Sequence, residues 1–198
     1  MRDAIRSRLK EAAFSYLARH EASMMRLRQV LARRLARWRE AAMLSAEERN
    51  VLVEDVVAEM AALDLVNDRR FAQERARTLL RRGLGPPAIR SRLRALGLSS
   101  GDVEAAMTAV LGAEDGQSRE AALLEAALAY ARRRHLGPFA KAEEKRRDPR
   151  RQARALAAFQ RRGLPLALAR IILEAPNEKT LMESLADHGL HPADPKDG

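Results

Sequence analysis

Apolar residues recur along this chain at intervals of three and four, and strict alternation of useful length appears nowhere, so the chain reads as α-helical throughout. Ile5, Leu9, Ala13, Tyr16 and Leu17 give a first helix ending near His20. Ser23 can cap a second, whose stripe is Met24, Leu27, Leu31, Leu35 and Trp38 and whose helical run extends through residue 44. Ser45 and Glu48 make the S-x-x-E capping box of a third, with Leu52, Val56, Met60 and Leu63 as its apolar stripe. Leu65 to Asp68 then forms a junction.

The same plan returns from Asp68 to Leu111. Phe71, Ala72, Ala76, Leu79 and Leu80 share one helix face while Arg70, Arg77 and Arg81 share another. Gly83 and Gly85 break the chain, and Pro86 and Pro87, lacking a backbone N–H, fit only the first turn of the next helix. Ile89, Leu93 and Leu96 line that helix, and Gly97 ends it. Ser99, with Asp102 three places on, caps a further helix whose buried side is Val103, Met107, Val110 and Leu111. None of these helices is long enough to stand alone, so they must pack as one module.

A third round follows. Ala121, Leu124, Leu128 and Ala131 form a helix, and RRRHLGPF (132–139) echoes RRGLGPPA (81–88). A basic insertion, KAEEKRRDPRR, precedes the return of the pattern at Leu156 and Phe159, and GLPLALARIIL (163–173) parallels GLSSGDVEAAMTAVL (97–111). A short helix from Glu178 to His188, ended by Gly189, precedes a terminus expected to be disordered. The expected boundaries are 1–66, 67–113, 117–175 with the insertion at 140–151, and a tail at 176–198. The predicted fold class is all-α: an elongated, curved array of tandem three-helix, helix-turn-helix-like repeats.

Charge changes this picture. The net charge of +10 is unevenly spread: +7 over residues 1–40, −6 over 41–68, +8 over 69–96, −4 over 97–116 and +8 over 117–174. Basic and acidic zones therefore alternate in step with the repeats. A solvated surface explains any single arginine, but clusters at equivalent places in successive units point to phosphate or partner contacts. The candidates are Arg33, Arg34, Arg37, Arg77, Arg81, Arg82, Arg90, Arg94, Arg132, Arg133, Arg134, Arg146, Arg147, Arg150 and Arg151.

Other chemistries find little support. An aromatic share of 4% is thin for base-stacking modules, and zero cysteines remove zinc fingers and thiol catalysis. His20, His135, His188 and His191 are scattered, and Gly83-x-Gly85 has neither the third glycine nor the preceding strand of a dinucleotide site. No catalytic residue, metal or cofactor is expected. The helix from Gly101 to Leu111 carries Asp102 and Glu104 but no Lys or Arg, which disfavours it as a recognition helix in a DNA groove and suits it to a protein partner. The lack of cysteine makes a reducing cytosol the expected home, and no window approaches a membrane span.

The run F-A-x(2)-R-A-x-x-L-x-R-R-G-x-G-P-x-x-I-R-x-x-L-x-x-x-G-L, from Phe71 to Leu98, resembles the central repeat of the RecX family. The likeness continues through L-V-N-D (65–68), with Asp64 where a Gly is usual, and through the basic insertion, covering about Ala12 to Ala175. It implies a regulator, not an enzyme, and most simply a monomer. It would bind the groove of a RecA filament on DNA and mainly inhibit its ATPase, strand-exchange and coprotease activities, and so regulate recombination, DNA repair and the SOS response. A free-standing, non-specific DNA- or RNA-binding protein is the alternative that charge alone would satisfy.

Overall fold

The computed structural model describes residues 1–112, 116–140 and 149–191; of the features expected from sequence, Arg146, Arg147, most of the basic insertion and the end of the tail lie outside them. Among the described residues there are ten α-helices and no strand: α1 Arg2–Leu17, α2 Met24–Leu35, α3 Ala46–Ala62, α4 Asp68–Arg81, α5 Pro86–Ala95, α6 Ser100–Leu111, α7 Gly116–Arg134, α8 Pro149–Arg161, α9 Leu166–Glu174 and α10 Glu178–Asp187. Short 3₁₀ turns cover Arg39–Met43 and Gly137–Phe139. The all-α expectation holds. The chain divides into two compact units, Met1–Ala72 with Leu93–Val103, and Gln73–Arg92 with Glu104–Gly198.

In the first unit, Ile5, Leu9 and Ala13 of α1, Leu27, Leu31 and Leu35 of α2, and Leu52, Val56 and Met60 of α3 form one buried core. These are the predicted stripes, joined by Val53 and Val57. Leu63, placed by periodicity on the same stripe, is 54% exposed because α3 has already ended: its last turn closes on Asp64, at φ 52°, and the chain leaves for the junction. The second helix also differs from its prediction. It stops at Leu35, and the chain turns through the 3₁₀ segment 39–43 instead of continuing. A straight helix would advance 1.5 Å per residue away from α1 and α3, whereas the turn folds Ala41 and Leu44 into the core and lays Trp38 against it. The Arg8 guanidinium then lies 4.4 Å from the centre of the Trp38 ring.

Caps hold the unit's helices in register. Ser45 and Glu48 form the predicted capping box, with the Glu48 N–H donating to Ser45 Oγ at 3.1 Å and the Ser45 N–H to Glu48 Oε2 at 2.8 Å. At the start of α2, Ser23 Oγ accepts from the Arg26 N–H at 3.2 Å and donates to the Leu96 carbonyl at 2.8 Å. The Asp68 carboxylate takes the Met24 N–H at 2.7 Å. Burial pushes the Asp68 carboxyl above its ordinary range, and the Met24 hydrogen bond opposes this only in part. On the surface Glu59 receives both Lys10 and Arg6, which hold its carboxyl below the usual range, the Lys10 hydrogen bond most of all.

In the second unit, the small residues Ala126, Ala127 and Ala131 of α7 allow close packing around Phe159 of α8, which is fully buried. Tyr130 meets Phe159 edge-on, with ring centres 5.0 Å apart. Leu164, Leu168 and Ile172 extend this core towards Leu181 and Leu185 of α10. Gly85 is required by a close approach: a Cβ there would overlap the backbone of Gly163, and the Gly85 N–H donates to the Arg162 carbonyl at 2.8 Å.

Two expectations follow. Phe159→Ala should lower the unfolding free energy by about 3–5 kcal/mol and Leu93→Ala by about 2–5 kcal/mol, measured by urea denaturation with circular dichroism, while Leu63→Ala should stay within about 0.5 kcal/mol. Asp68→Ala should cost about 1 kcal/mol through the lost cap, whereas Asp68→Asn keeps an acceptor and should cost less. The pH dependence distinguishes Asp68 from Glu59. A raised carboxyl contributes stability that is lost as pH rises through its folded pKa, while the lowered Glu59 contributes stability lost as pH falls through its own, so Asp68→Asn should steepen the loss of stability on acidification.

Candidate partner and nucleic-acid interface

Three helices of the second unit end in the same way. After Arg81-Arg82, Arg133-Arg134 and Arg161-Arg162 the chain enters a left-handed residue, Gly83 (φ 68°), His135 (φ 52°) or Gly163 (φ 71°), followed each time by a leucine. In each case that leucine's N–H bonds back to a carbonyl five residues earlier: Leu84 to Leu79, Leu136 to Ala131 and Leu164 to Phe159. The arginine pairs therefore sit at helix C-termini, where carbonyls carry partial negative charge. This placement stabilises the helices by itself, and it also gathers cations at helix ends.

Around the first of these turns the gathering is tight. Arg162 donates from Nε to the Gly83 carbonyl and from Nη2 to the Arg82 carbonyl, both at 2.7 Å. Its guanidinium lies 4.4 Å from the centre of the Tyr130 ring, and Arg133 donates to the same Arg82 carbonyl. Burial depresses the Arg162 pKa, and the cationic neighbours Arg133, Arg92 and Arg134 depress it further against the opposing influence of Tyr130. The result is a half-buried guanidinium under a group of surface arginines.

The predicted site residues fall into distinct settings. Arg81, Arg82, Arg133 and Arg134 are exposed at the ends of α4 and α7. Arg132 lies 5.3 Å from the centre of the Phe139 ring. Arg90 is engaged within the unit, its fork meeting both Glu104 oxygens at 2.9 to 3.0 Å, and Arg77 pairs with Glu74. Thus Glu104, read from sequence as facing a partner, already holds an arginine. Arg150 and Arg151 open α8. In the first unit Arg34 donates to the Ala12 carbonyl at 3.1 Å and Arg33 to its own helix at Gln29, while Arg37 and Arg94 are exposed. Sequence reasoning missed Arg162, although a signal was there: RRGL occurs at 81–84 and again at 161–164.

A second feature of this unit is an open, largely apolar cavity of about 510 Å³ lined by Leu123, Pro165, Leu168, Ile171 and Leu190, with Arg119, Glu120 and His188 as its charged and titratable members. His188 Nδ1 lies 2.7 Å from the Ser184 carbonyl of its own helix. No group of His, Asp or Glu among the described residues is arranged to hold a metal ion.

Residues 67–107 match the family model for the second three-helix domain of RecX. The chain is 31% identical over 167 residues to the regulatory protein RecX of Myxococcus xanthus (strain DK1622), covering 84% of each protein. Its fold matches the crystal structure of RecX from Lactobacillus salivarius with a TM-score of 0.54 at 16% identity, over 87% of this chain and 96% of that one. With sequence identity of this extent and a three-helix domain matched at its centre, the chain belongs to the RecX family.

Proposed function

We propose that this protein binds the RecA nucleoprotein filament and modulates, mainly inhibits, its ATPase, strand-exchange and coprotease activities, and so regulates recombination, repair and the SOS response in the cytoplasm. The observation that carries this reading is the identity with a regulatory RecX over most of both chains. The arginine-rich helix ends support it, since a filament on DNA presents phosphates that forked guanidinium groups are suited to hold. The three-helix registers 1–66, 67–113 and 117–175 would engage successive parts of that polymer as a monomer. The acidic first turn of α6, at Asp102, would set orientation against basic recombinase surfaces, whereas Glu104 is engaged by Arg90.

Inhibition on this reading is a shift of population. The protein must bind an inactive filament state more tightly than the active one, and a 99-fold bias either way requires about a 10⁴-fold difference in affinity. A second reading, a free-standing nucleic-acid binder with no effect on the recombinase, rests on the net charge of +10 alone.

DNA-dependent ATP hydrolysis by RecA, titrated with this protein, separates the two. The proposal expects a saturable fall in rate, and an unchanged rate at concentrations that coat the DNA would leave only the second reading. Arg81→Glu with Arg82→Glu should raise the half-inhibitory concentration about tenfold or more, consistent with loss of two charge-assisted contacts, while the circular dichroism spectrum stays that of the native protein.

A further inference from the structure

Among the basic surfaces, the turn after α4 differs from the rest in being built from inside. Two guanidinium groups, from Arg162 and Arg133, converge on one backbone carbonyl, that of Arg82. Arg162 also takes the Gly83 carbonyl and lies against Tyr130, and its own carbonyl receives the Gly85 N–H at 2.8 Å, so the two glycine turns are tied in both directions. Arg162 is the half-buried member, with its Nε and Nη2 directed inward to protein carbonyls, whereas Arg82, Arg133 and Arg134 are exposed. Arg162 thus serves the backbone, Arg133 gives it one nitrogen while standing exposed, and Arg82 and Arg134 stand at the surface beside them.

We propose that Arg82, Arg133 and Arg134 form a binding site for the phosphodiester backbone of nucleic acid, and that Arg162 is the positioning residue that builds it by clamping the Arg82 and Gly83 carbonyls. Forked guanidinium groups match phosphate oxygens, and contacts of this kind ignore base identity. Like charges brought this close repel one another, a cost that a polyanion offsets and that helix-end carbonyls offset only in part. Lysine at position 162 would keep the charge but could not span two carbonyls from a planar fork. The site rests on the reading that the basic surface meets the DNA of a filament, but its chemistry requires no recombinase.

The test is therefore made on naked DNA. Binding of a fluorescein-labelled oligothymidylate is followed by anisotropy over a series of salt concentrations. Each phosphate contact to a single strand contributes about −0.7 to the slope of log K against log salt. The triple variant Arg82→Gln, Arg133→Gln, Arg134→Gln should flatten the slope by about 2. Arg162→Gln should flatten it by clearly more than the ~0.7 of one charge, and Arg162→Lys should fail to restore it. Wild-type binding by Arg162→Lys, or a change of only one contact in Arg162→Gln, would overturn the positioning role. Should the Arg162 variants prove unfolded by circular dichroism, the triple variant decides: an unchanged slope defeats the site. Displacement of the DNA by oligoglutamate as readily as by unlabelled oligothymidylate would also defeat it, assigning the surface to an acidic protein instead. A triple variant that binds naked DNA with the wild-type slope, in a protein that inhibits RecA ATP hydrolysis, would sink this site and spare the regulatory reading; a flattened slope in a protein that leaves ATP hydrolysis unchanged would do the opposite.

Discussion

The end of an α-helix leaves carbonyl oxygens without intrahelical partners, and much of the second unit is an answer to that constraint. Three times the chain meets it with a left-handed residue that lets the next leucine N–H reach back, and with an arginine pair just upstream. At the end of α4 it adds Arg162 from the far side of the α8 turn, which takes the Arg82 and Gly83 carbonyls directly. The same need that terminates the helices therefore collects guanidinium groups in one place. A structural requirement and a capacity for binding phosphate share one set of atoms.

The first unit solves a different problem. Its core is made of leucine and valine stripes on three helices, and several of its cations are tied to acceptors within the unit: Arg6 and Lys10 to Glu59, Arg28 to Glu54, Arg34 to the Ala12 carbonyl. Exposed pairs of this kind contribute little to stability individually. They do, however, reduce how much of the segment's formal charge of +7 is available for long-range contacts.

Much of the fold was legible because helices announce themselves through period and caps. Ser23, Ser45, Ser99 and Gly189 mark boundaries that the backbone keeps. Legibility failed where tertiary closure overrode local propensity. Nothing in LARRLARWREAAML requires a break after Leu35, and the turn is explained only by the gain from bringing Trp38, Ala41 and Leu44 back to the core. The candidate interface was half legible: repeated arginine clusters could be seen, but the engagement of Arg90 by Glu104 and the inward fork of Arg162 depend on contacts separated by 14 and by 79 or 80 residues. Periodicity carries no information about such pairs.

The start of α2 carries one more implication. Its first free N–H groups are closed by Asp68, 44 residues downstream, and by Ser23, whose hydroxyl is in turn oriented by a carbonyl 73 residues away. During synthesis on the ribosome the amino-terminal helices emerge long before those partners do. Their nascent bundle can gather its leucines early, yet the lock on its second helix engages only once residue 96 has cleared the exit tunnel, making that unit's maturation contingent on translation of the middle of the chain.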